Sequence, residues 1–160
     1  MTDTLMRALI STHEAAHAVT TLRLGLSLQS VTLEGDGGYV SVLDAPSRWR
    51  ETLVVLSAGD VAVKRAGGTY CSAQDERDAW AIINRRGFSA LEAATVLGDA
   101  KRQAEQLVTD HWDTVERVAA ALFRTGRLGA TDVRRLCEPG ATADSEVMFL
   151  MRLAVPAARR

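Results

Sequence analysis

The chain is poor in cysteine, in histidine and in net charge, and each shortage excludes something. Its two cysteines, Cys71 and Cys137, stand far apart with no CxxC spacing. That suits a reducing compartment and argues against a disulfide-stapled fold. Lys and Arg number 19 against 20 Asp and Glu, a formal net charge of -1, so no overall field draws the chain to nucleic acid or to an anionic membrane. The arginine pairs Arg48/Arg50, Arg85/Arg86 and Arg134/Arg135 read as solvated helix faces or ends. No apolar run approaches the roughly 18 residues of a membrane span. The two best, "TLVVLSAGDVAV" and "VMFLMRLAV", are interrupted by Asp60 and Arg152. No basic region followed by a long apolar stretch opens the chain, so no secretory signal peptide is expected. There is no internal repeat, no low-complexity segment and no GxxxxGK[ST] phosphate loop. The expectation is a cytoplasmic protein.

What is present suffices for one domain. With 160 residues, 47% of them hydrophobic, the chain can bury a real core, whereas two smaller domains would each be marginal. Leu5, Leu9, Ala16, Val19 and Leu22 recur at helical spacing and predict a helix from Thr4 to Leu24, stopped at Gly25. The period then changes. "SLQSVTLEGDGGYVSVL" alternates on either side of a glycine-rich turn and predicts a hairpin.

Helical signals fill the rest. Ser47 is the expected cap of a second helix that stops at Gly67-Gly68, and its alanines and Gly59 would let another helix pack closely. Ser72 with Asp75 resembles a capping box and opens a third helix to about Arg86. "SALE" is a capping box that starts a long helical region to about Arg124, with a kink expected near Gly98 or His111-Trp112. Gly126 closes that region and Thr131 is expected to cap a short last helix. Residues 138–160 read as a C-terminal extension whose apolar stretch, Val147 to Val155, is a candidate docking helix. One helix, one hairpin and then only helices make a mainly α (α+β) domain, with its small sheet near the N-terminus.

Two of the three histidines fall in one five-residue motif, His13-Glu14-Ala15-Ala16-His17. This is HExxH. Residues four apart lie one turn apart on a helix face, so both imidazoles can reach one ion. Zinc takes nitrogen ligands in tetrahedral array, and two imidazoles supply half of it. Glu14 is displaced by about 100° around the helix, where it serves better as the general base for a water than as a ligand. A catalytic zinc site needs a third protein ligand. Thr20 and Arg23 occupy the positions of glycine and histidine in the extension HExxHxxGxxH, and His111 reads as a helix-surface residue. A carboxylate is therefore expected, from Glu51, Asp60, Asp75, Glu76 or Asp78. "SAQDERDAWAI" offers two aspartates three apart, and composition does not choose between Asp75 and Asp78. Cys71 reads as a small core residue, and Trp49, Trp80 and Trp112 as core or interface anchors.

The order of these pieces resembles the peptidase domain of the FtsH-type ATP-dependent zinc metalloproteases. "THEAAHAV" is similar to that family's HEAGHA(L/V)V segment, with Ala16 in place of glycine. "LQSVTLEGDGGYVSV" resembles its strand pair, "LVVLSAGDVAVKRAGG" its "LAGRAAEELVFG" helix, and "SAQDERDAW" its "GAxNDIxxAT" segment. "AKRQAEQLVTDHWDTVERVAAALFRTGRLGATDVRRL" resembles its closing helices. The likeness spans roughly residues 9–137 and takes 1–137 as a peptidase domain, zincin-like and helical.

The resemblance implies Zn²⁺ held by His13, His17 and Asp75, with Glu14 as general base of a metalloendopeptidase. It also implies an outer strand, around Gly38, Tyr39 and Val40, that binds an extended peptide or unfolded protein by strand addition. The family's membrane anchor and ATPase have no counterpart in this sequence. A separate ATPase partner and a homo-oligomer are the partners it leaves open. A non-catalytic, zinc-stabilised binding module is the rival reading; a glutamate at position 14 speaks against it, since holding the ion does not require one.

Overall fold

The computed structural model describes residues 3–43, 46–142 and 147. Most of the expected docking helix lies outside them.

Helix α1 (Asp3–Arg23) is the axis of the molecule. Its residues from Ala8 to Thr21 are all buried, against α2, α5 and the sheet. A helix covered on every side must satisfy its polar side chains internally. Ser11 and Thr12 do so by donating to the carbonyls of Arg7 and Ala8, one turn back, at 2.8 and 2.9 Å. Gly25, at φ +70°, ends the turn that follows.

The predicted hairpin forms as β1 (Leu28–Glu34) and β2 (Gly37–Val42), paired through Val31–Val40, Thr32–Tyr39 and Leu33–Gly38. Gly35 takes φ +54° in the two-residue loop, a backbone region that favours glycine. A third strand, β3 (Arg127–Gly129), adds to the other side of β1, giving an antiparallel order β2-β1-β3. This corrects the expectation of helices alone after the hairpin. Three residues are too few to show an alternating pattern, and what makes them a strand is pairing with β1 almost a hundred positions earlier. The strand β2 is left at the sheet edge.

Helices α2 (Trp49–Arg65), α3 (Ala73–Arg85), α4 (Ala90–Asp110), α5 (Trp112–Thr125) and α6 (Ala130–Leu136) complete the domain. The mainly α, α+β class read from the sequence is the class observed. Two caps are where the sequence placed them. Ser72 accepts from the Asp75 N–H, and Ser89 and Glu92 form a reciprocal capping box. Two are not. Ser47 lies in a short 3-10 turn (Pro46–Arg48) and Arg48 precedes α2, while Thr131 sits inside α6 and the Gly129 N–H donates to Asp132. The break between α4 and α5 falls at His111, and Gly98 lies within an uninterrupted α4.

The core is aliphatic and alanine-rich, with Val19, Val31, Leu53, Val118 and Leu122 among its largest members. Trp49 packs on Phe88 and Trp112 is partly buried, but Trp80 is 44% exposed and is not a core residue. Among the described residues, no helix is long and apolar enough to cross a membrane.

Candidate metal centre

The two histidines of α1 meet an aspartate of α3 below the edge strand. His13 Nε2 and His17 Nε2 are 2.9 Å apart, and Asp75 Oδ2 lies 2.8 Å from the first and 3.1 Å from the second. One turn of helix sets the two imidazoles over each other, 4.5 Å between ring centres and nearly perpendicular. The first turn of α3 presents Asp75, whose N–H donates to Ser72 Oγ at 3.2 Å, and the positive end of that helix favours a carboxylate there.

The tautomer of His17 follows from its neighbour. A carbonyl only accepts, so Nδ1 of His17 must donate its proton to the Val55 carbonyl, 2.6 Å away. In the neutral ring, Nε2 is then a bare lone pair facing the other two atoms. With His13 in the same tautomer, three acceptors converge, and they repel one another unless positive charge lies among them. Tetrahedral zinc ligands at about 2.0–2.1 Å from the ion stand about 3.3 Å apart. The observed separations of 2.8–3.1 Å therefore need open by only a few tenths of an ångström. Two imidazoles and one carboxylate are also a donor set that zinc accepts. The residues fit the ion.

The electrostatics agree. Burial resists charge on Asp75, but the hydrogen bonds and charges of His13 and His17 outweigh it and hold the carboxyl well below its usual range. Burial also opposes charge on His17, yet Asp75 and Glu14 overcome it and raise its pKa. On His13, burial prevails and the pKa falls, with Asp75 only partly offsetting it. Asp75 thus favours positive charge on both rings, and at His17 that effect prevails over burial.

Glu14 points to the cleft rather than into the trio. Burial pushes its carboxyl up to about 7, and its Oε2 is buried without a hydrogen-bond partner among the described residues. Gly38 makes room for it. A Cβ at position 38 would stand 2.6 Å from Glu14 Cγ and 2.8 Å from the Thr32 carbonyl. The cleft holds about 340 Å³, with Leu26, Val42, Val55 and Leu56 in its aliphatic lining and Gln74 and Asp78 in its polar lining. Gly38, Tyr39 and Val40 of β2 line it too, beside Glu14, His17 and Asp75. Six of the seven residues expected to form the site thus line one cleft, and the seventh, His13, lies behind it against His17 and Asp75.

The other candidates are placed elsewhere. Asp78 borders the cleft but is exposed, its Oδ1 accepting from Gln74 at 2.8 Å. Glu51 pairs with Arg48 and Glu76 is exposed. Asp60 approaches the opposite side of the His13 ring, 3.7 Å from Nδ1. Among the described residues, His13, His17 and Asp75 are the group able to hold a metal, and neither His111 nor the exposed Cys71 belongs to it.

Two contributors had little or no sequence signal. The Val55 carbonyl is a backbone group and leaves no trace in residue type. Tyr70 packs edge-on against His13, 5.2 Å between ring centres, and sits in the unpatterned loop before α3. Gly59 was legible as a close-packing position, but what approaches it is a histidine ring. A Cβ there would lie 2.4–2.5 Å from three atoms of the His13 imidazole.

No protein-family model matches this chain, and no curated protein matches it significantly.

Proposed function

We propose that the chain is a zinc-dependent metalloendopeptidase acting on peptides or unfolded proteins. The observation that carries this reading is the convergence of His13, His17 and Asp75 within 2.8–3.1 Å at the base of a cleft that also holds the Glu14 carboxyl. Zinc, when bound, supplies Lewis acidity for a peptide carbonyl and acidifies a water. Glu14 takes the proton of the attacking water and delivers it to the leaving amine. The free edge of β2 aligns an extended substrate through main-chain hydrogen bonds. The aliphatic lining of Leu26, Val42, Val55 and Leu56 receives an apolar side chain of that substrate. The substrates are peptides, disordered tails and unfolded proteins, and an ATPase partner is what folded substrates would require. Both cysteines are free, in keeping with a cytoplasmic setting.

The test is Glu14→Gln in the full chain, assayed on an unfolded test protein with zinc content measured alongside. Cleavage should fall by roughly 10²–10⁴-fold while zinc remains bound, and adding ATP should change neither. Cleavage that survives the substitution removes Glu14 as the base. Tight zinc binding by a wild-type chain that cleaves nothing points instead to the metal-stabilised binding module.

A further inference from the structure

The two histidines of the trio are not supported alike. His17 has its Nδ1 proton held by the Val55 carbonyl at 2.6 Å. His13 is 1% exposed, and its Nδ1 has no hydrogen-bond partner among the described residues. To offer Nε2 to a metal, a neutral His13 must carry its proton on Nδ1. A buried N–H without an acceptor is costly, and metal-binding histidines almost always donate that proton to a carboxylate or carbonyl.

A carboxylate is in place. Asp60 Oδ1 lies 3.7 Å from His13 Nδ1, on the side of the ring away from the trio. It follows Gly59 in α2, and Gly59 is what lets the His13 ring lie against that helix. The same Oδ1 accepts from the backbone N–H of Ser72 at 3.4 Å, the residue that caps the helix carrying Asp75. Both contacts are long and the Asp60 side chain is 38% exposed, so a movement of under about 1 Å brings it to hydrogen-bond distance of the imidazole. We propose that Asp60 is a positioning residue of the metal centre, accepting the Nδ1 proton of His13 and holding that ring with its Nε2 lone pair turned to the ion.

Asp60 would then join three helices at one oxygen: α1 through His13, α2 through its own backbone, and the start of α3 through Ser72. It is an outer residue. It touches neither the metal nor the substrate, and it acts by fixing a tautomer and strengthening one ligand.

The inference rests on the metal reading, and the experiment separates the two. The zinc Kd of the full chain is measured by competition with a chromophoric chelator for wild type, Asp60→Ala, Asp60→Asn, Asp60→Glu and Asp75→Asn. The proton position on His13 is read by long-range ¹H–¹⁵N correlation in the zinc-loaded protein. Asp60→Ala should raise Kd by 10–100-fold, and Asp60→Glu should recover most of that loss, which a merely structural role would not. The Nδ1 proton of His13 should be seen in the wild type and should shift in Asp60→Asn. Should the alanine variant fail to fold, Asp60→Asn keeps an acceptor for Ser72 and His13 but loses the negative charge that strengthens the imidazole as a ligand, and still raises Kd. Kd values within twofold of wild type for Asp60→Ala and Asp60→Asn, beside loss of zinc in Asp75→Asn, overturn this inference and leave the metal reading standing. Absence of zinc binding in the wild type, or its survival in Asp75→Asn, overturns both.

Discussion

Helix α1 is buried over fourteen consecutive residues, whereas Ile83 is the one buried residue of α3. Yet the two helices share the candidate metal centre, α1 with His13 and His17 and α3 with Asp75. On the α1 side the geometry is set before any ion arrives. His13 lies against Gly59 and Tyr70, His17 donates to the Val55 carbonyl, and both rings are buried. On the α3 side the carboxylate rides on a helix held by a serine cap, a few partly buried apolar contacts and the trio itself. Local stability follows buried contact. A rigid half-site facing a loosely docked jaw means that the ion would organise α3 far more than α1.

The largest effect expected from this contrast is on hydrogen exchange. In the metal-free chain, amides of α3 should exchange through local opening, well before those in the centre of α1. Zinc at 100 times its Kd should stabilise the closed α3 by about 2.7 kcal/mol and slow its exchange accordingly. Equal exchange rates in the two helices without zinc would break the comparison.

Next in size is a change on the rigid side. Alanine is favoured over glycine inside a helix by about 1 kcal/mol, but at position 59 its Cβ would meet the His13 ring at 2.4–2.5 Å. Gly59→Ala should therefore destabilise the fold by roughly 1–3 kcal/mol, read from the denaturant midpoint, and should weaken zinc binding as His13 is displaced. A more stable variant would mean that the α1–α2 contact yields easily and that the α1 half-site is less rigid than its burial implies.

The smallest effect is on the jaw. Ser72→Ala removes the cap of α3 and should cost about 1 kcal/mol, expressed as faster exchange in α3 and a zinc affinity lowered by less than tenfold. Ser89→Ala removes a comparable cap from α4, away from the site, and should leave zinc affinity unchanged. Equal effects of the two caps on zinc binding would show that α3 is not the element the ion organises.

The same contrast explains how much was legible beforehand. The half-site on α1 depends on a spacing of four residues in one helix, and that spacing can be read directly. So can the caps at Ser72 and Ser89 and the Gly35-Asp36 turn, because each is a short-range hydrogen-bonding or backbone requirement. Asp75 and Asp78 could not be separated on composition, since residues three apart share a helix face. The resemblance to a known family favoured Asp75, and the fold brings Asp75 to the histidines while Asp78 turns to solvent and Gln74. The strand β3 was missed because its pairing with β1 is long-range. The tryptophan at position 80 was misjudged because the periodicity of α3 does not say which face meets the core.

What the sequence determined by itself was therefore what is set within about one helical turn: the helices and the hairpin, the caps at Ser72 and Ser89, the glycine-dependent turn, and the pair of histidines with a glutamate beside them. These follow from backbone sterics and from interactions between near neighbours. The tertiary structure alone decided which carboxylate completes the trio, which carbonyl fixes the His17 tautomer, and that Asp60, Gly59 and Gly38 surround the site. Those outcomes depend on how α2, α3 and β2 dock against α1, and docking is settled by the summed packing of the whole core rather than by any local pattern.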